Sequence, residues 1–142
     1  MIKNFLVKQS DAGILILRLV IGLAFIFVHG WGKFFGGPEF WSKLGGAMSN
    51  FGITFAPVFW GFMAAFTEFA GAILISLGLF TRTASLFLAF TMFVAFIMHT
   101  SKHDPWMFSI YPLEMLSVFT ALFFIGAGKY SLDYLLFSKK SH

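Results

Sequence analysis

Five side chains able to carry charge interrupt stretches that are otherwise almost wholly apolar: Arg18, His29, Glu68, His99 and Glu114. An arginine holds carboxylates or anionic oxygens, a histidine gives or takes a proton near neutrality, and a carboxyl removed from water tends to keep its proton. Acids, a cation and histidines are the set that a proton relay or a polar ligand pocket requires. Apolar surroundings make each of them costly, at about 2.5–3.5 kcal/mol for a charged group at the centre of a membrane helix. Such groups persist where they meet a partner, water or a ligand.

The stretches that must position them are residues 12–29, 55–80, 83–99 and 108–126. A helix needs about 20 apolar residues to cross a hydrocarbon layer about 30 Å thick, and each stretch is close to that length. The composition agrees. Of 142 residues, 58% are hydrophobic and only 11% charged, whereas a water-exposed domain carries about 25% charged residues. Phenylalanine alone supplies 22 residues, which suits lipid-facing surfaces. The expected fold is all-α: one polytopic membrane domain over residues 1–142, built as a bundle of four transmembrane helices. Three spans is the alternative if the short third stretch were a surface helix. The apolar run after Lys3 and Lys8 contains Arg18 and lacks a small-residue cleavage pattern, so it reads as a retained first span.

The net charge of +4 is spread without a basic stripe, which excludes nucleic-acid binding. The chain has no cysteine, which excludes thiol exchange, cysteine-held iron–sulfur clusters and thiolate zinc sites. No metal site is expected. Four spans put both termini on one side of the membrane. That side holds Lys3, Lys8, Arg82, Lys129, Lys139 and Lys140, and the other holds Lys33, Lys43 and Lys102. The bias places both termini in the cytoplasm. It also accounts for the Lys139-Lys140 pair without invoking a retrieval signal.

Between the first two stretches lie about 25 residues rich in glycine and aromatics, among them Trp31, Phe34, Phe35 and Trp41. The expectation there is a segment lying in the headgroup zone. Helical periodicity sets the faces. Arg18, Gly22 and His29 share a stripe that Lys33 would continue. Glu68 is flanked by Gly61, Ala64, Ala65, Gly71 and Ala72, small residues that allow close helix approach. Glu114 shares its stripe with Ser117 and Ala121, while His99 closes the third span above Ala95 and Thr91. The expected result is one polar column, with Arg18 paired to Glu68 near the midplane, Glu114 beside them, and both histidines at the outer mouth.

The order Gly13, Leu17-Arg18-Leu19, Gly22, His29-Gly30, Lys33, Glu68, Gly71, Gly78-Leu79, Thr81-Arg82, His99, Glu114 and Gly126-Ala127-Gly128-Lys129-Tyr130-Ser131-Leu132-Asp133 resembles the DoxX family. Lys129 stands where an arginine is common in that family. The resemblance implies a four-helix protein of the bacterial cytoplasmic (inner) membrane. Family relatives include the quinone-reducing membrane subunit of a thiosulfate oxidoreductase and a membrane partner in an oxidative-stress complex. More distant eukaryotic relatives act as receptor-assembly chaperones and cargo receptors.

The leading expectation is a membrane subunit of a quinone-linked oxidoreductase that binds a quinone-like amphiphile between its helices. Glu68 and Glu114 would exchange protons. Arg18, His29, Lys33 and His99 would hold the ligand, and a membrane or peripheral protein partner would supply electrons. The alternatives are a non-enzymatic assembly helper for such a partner and a small proton-coupled transporter. Surrounding lipid and a homo-oligomer complete the expected associations.

Overall fold

The computed structural model describes residues 2–137, with side chains from residue 9 onward. It is all-helical, with no strand among the described residues. Helix α1 (Ile2–Ala24) passes through a π-helical segment, Phe25–Gly30, into α2 (Trp31–Phe34). After a turn come α3 (Gly37–Gly45), a 3₁₀ segment (Gly46–Phe51), α4 (Pro57–Leu77), α5 (Thr81–Ser101), α6 (Trp106–Ile125) and α7 (Leu132–Phe137). Four helices are long and apolar enough to cross a membrane: Gln9–Phe34, Pro57–Leu77, Thr81–Ser101 and Trp106–Ile125. The third stretch is therefore a full span, which removes the three-span alternative.

Two helix ends differ from the sequence reading, and both have a physical cause. The long second stretch stops at Leu77, because Gly78 takes a left-handed conformation (φ 66°). The Gly78 N–H donates to Ile75 O and that of Leu79 to Leu74 O, which closes the helix. Helix α5 then starts at Thr81, so Thr81-Arg82-Thr83 form its first turn rather than a connector. Its free N–H groups are capped from afar. The Asp133 carboxylate accepts from Phe80 N at 2.7 Å and Thr81 N at 2.9 Å.

The core gathers Phe25, Ala72, Ile75, Ala84, Leu88, Ala89, Met92, Phe119 and Leu122 from the four spans. Large apolar side chains cover the outside as well, among them Val20, Phe27, Phe90 and Phe124. Water would not tolerate so continuous an apolar exterior, whereas acyl chains would.

The glycine- and aromatic-rich connection is more ordered than expected. Gly22 meets Ala72 and Ser76, Gly30 meets Phe69, and Phe34 stacks on Phe69. Trp41 then meets Gly61, and Gly45 meets Pro57. The chain from Gly22 to Gly45 thus runs antiparallel along nearly the whole of α4. A Cβ on Gly45 or Gly61 would overlap backbone of the facing helix, so those two glycines let α3 and α4 touch main chain to main chain. The first span ends at Phe34, the helix breaks at Phe35–Gly36 beside the middle of α4, and α3 then packs on the first turns of α4.

Candidate functional site

At the break, Lys33 Nζ donates to both oxygens of Glu68, at 2.8 and 2.6 Å. Glu68 is 2% exposed and lies about 16 Å along α4 from Pro57. The Lys33 carbonyl accepts the Trp41 indole N–H at 2.8 Å, which ties the two halves of the broken helix together. An unwound or interrupted helix within a membrane bundle is tolerated where it lines a cavity, and one is present here.

The cavity holds about 370 Å³ and lies between the 3₁₀ segment, α4 and α5. Lys33 and Glu68 line its inner part, Glu68 level with about Thr91 since Gly71 meets Leu88, and it extends from Phe87 past Met63, Ala95 and Trp60 to Met98 and His99. From Phe87 to His99 is about 18 Å of helix. His99 Nδ1 lies 2.7 Å from Asp104 Oδ2, so a partly exposed His–Asp pair stands at the mouth. The walls are aromatic and aliphatic, and the polar groups are concentrated in the inner part and at the mouth. That arrangement suits a long amphiphile with a polar head.

The structure does not bring the six candidate residues into one column. Arg18, expected to pair with Glu68, lies at the other end of α4. It is fully buried and donates to the Ile75 and Tyr130 carbonyls, with Nε left without a partner. A cation there meets the negative end of α4 and clasps the segment Gly126–Asp133 onto the bundle. Gly78 is required beside it, since a Cβ would overlap the guanidinium. His29 bonds Tyr111 through Nε2 at 2.8 Å and joins α6 to the first crossing. Glu114 is exposed on the outer face of α6 and shares no cavity with Glu68. Lys33, Glu68 and His99 are the candidates that share a cavity.

The cause is depth along α4: Gly22 meets Ala72 and Ser76, so Arg18 lies beside Ile75 and Gly78, about 15 Å of helix from Glu68, while His29, in the π-helical segment, turns to Tyr111 of α6. Lys33 faces α4 and takes the place expected for Arg18. Residues missed by the sequence reading are Asp104 and Trp60. Asp104 follows His99 by five positions across the chain reversal before Pro105, a weak signal. The Trp60 indole nitrogen is buried without a partner, and nothing in the local sequence foretold that.

A four-span bundle with a buried ion pair at a helix break defines a small multi-pass membrane protein. Every residue lining its cavity lies between positions 33 and 99. The DoxX family model matches residues 13–101, and the chain belongs to the DoxX family. No curated protein and no solved structure matches the chain. Helix α6 and the Gly126–Asp133 clasp lie beyond the matched segment.

Proposed function

We propose that the whole chain acts as one unit, an integral membrane subunit whose cavity binds a quinone-like amphiphile in a redox complex. The observation that carries this reading is the Lys33–Glu68 pair lining the inner part of an aromatic-walled cavity of about 370 Å³. The ring head lies there with one carbonyl accepting from Lys33. Reduction of a quinone to the hydroquinone consumes two electrons and two protons. The electrons come from the reduced redox group of a protein partner. Lys33, held by Glu68, supplies one proton at the carbonyl it binds, and the other enters with water through the mouth beside His99 and Asp104. The excess of basic residues on the side of the termini puts that side in the cytoplasm of a bacterium, with the mouth facing outward.

The test is titration of the purified protein in nanodiscs with a short-chain ubiquinone analogue, read by quenching of tryptophan fluorescence. Saturable quenching is expected, with Trp60→Phe removing most of the signal. Glu68→Gln is expected to weaken binding about tenfold, the effect of one charge-assisted hydrogen bond. Ala64→Phe, which fills the cavity, is expected to abolish it. Unchanged affinity in both Glu68→Gln and Ala64→Phe refutes the assignment.

A further inference from the structure

Helix α6 is the edge of the bundle. It packs chiefly on α5, with further side-chain contacts through Phe119 and Tyr111 to the first crossing. Those two contacts also fix the depth of its outer face. Glu114 lies between Tyr111, level with His29, and Phe119, level with Phe25, and so sits well inside the span. Its carboxylate has no partner among the described residues. Among the described residues it is also the only ionisable side chain exposed in the middle of a span.

The surface around it is unlike the rest of the exterior. Glu114, Ser117 and Ala121 fall within about 60° of one another on the helix, and all three are exposed. The corresponding face of α1 shows Ile16, Val20 and Phe27, and that of α5 shows Leu86, Phe90 and Phe93. The Ser117 hydroxyl donates to the Glu114 carbonyl of its own helix at 2.6 Å, so it cannot donate to the carboxylate but can still accept. Acyl chains offer this carboxyl nothing.

We propose that α6 is the contact helix of a homodimer, with Glu114 facing Glu114 of a second copy. Two copies in one membrane with the same orientation are related by an axis along the bilayer normal. That symmetry puts identical residues of α6 at identical depth. Across that axis the polar groups within reach of each carboxyl are its own counterpart and the facing serine hydroxyl. Small side chains at positions 117 and 121 let the two helices approach, and polar groups across membrane helices strengthen the association.

The absence of cysteine in the natural chain makes a direct test available. Ser117→Cys and Ala121→Cys, each introduced singly into the full chain in lipid vesicles, are expected to form disulfide-linked dimers on mild oxidation. Val20→Cys and Phe90→Cys, on other outer faces, are not. Glu114→Leu should weaken dimerisation of the cysteine-free chain in nanodiscs about tenfold, while Glu114→Gln retains it, since an amide also pairs with itself. A leucine at a lipid-facing position leaves the fold intact, which thermal unfolding of the variant verifies. A monomeric chain, crosslinking at position 117 no stronger than at position 20, or dimerisation indifferent to Glu114→Leu overturns the proposal.

Discussion

Replacing Lys33 by methionine removes the cation that faces Glu68 but keeps an unbranched side chain, one atom shorter. Glu68 is 2% exposed and loses two short charge-assisted bonds at 2.6 and 2.8 Å. Removing one partner of a buried pair costs about 3–5 kcal/mol, because the remaining charge is stranded. The Lys33 side chain keeps 28% of its surface exposed, so water already reaches the cation, and the lower end, about 3 kcal/mol, applies. That is on the order of a hundredfold in the ratio of folded to unfolded protein. Replacing Glu68 by methionine as well removes the stranded acid. The double variant should regain most of the loss, since apolar residues of similar volume often substitute for a buried pair at little cost. The assay is reversible unfolding in mixed micelles for the four members of the cycle, without added quinone. If Lys33→Met costs less than about 0.5 kcal/mol, or the double variant loses the sum of the two singles, the pair is not the buried contact described.

Arg18→Met should lower the thermal midpoint and expose the chain near Tyr130 to limited proteolysis, because two carbonyls lose a charged donor worth about 1.5–3 kcal/mol each. Intact resistance of that segment would contradict the clasp. Gly61→Ala should push α3 off α4 at a cost of about 1–3 kcal/mol and weaken quinone-analogue binding in the same titration. Affinity and stability both at the level of the natural chain would show that the helix contact has room to spare.

The four spans were legible because uninterrupted apolar length is a strong signal that burial in lipid makes inescapable. The small residues around Glu68 correctly put that acid on an inward face. The partner of Glu68 was not legible. It depends on the depth at which the first helix meets α4, which leaves Arg18 beside Ile75 and Gly78 and brings Lys33 to Glu68. A stripe names a face and not a depth, and Arg18 and Lys33 both face α4, at different levels. The region around Trp41 read as interfacial because it is rich in aromatics, yet Gly45 and Gly61 were the clue that its backbone lies against α4. Glu114 was placed inward on the strength of its charge and of the stripe it shares with Ser117 and Ala121. Its helix has small residues on the outer side too, which periodicity cannot rank. The capping of α5 by Asp133 spans more than fifty positions and leaves no local trace.

The clasp around Arg18 sets an order on biosynthesis. Arg18 belongs to a span made before the other three, whereas Tyr130 and Asp133, which fasten it and α5, emerge only after α6 has been made. A nascent chain can insert these spans one by one, yet it stays unlatched at that end until residues 126–133 have emerged. Premature termination ahead of Tyr130 would therefore leave an inserted bundle whose guanidinium and α5 amides lack those partners, a ready mark for a membrane protease.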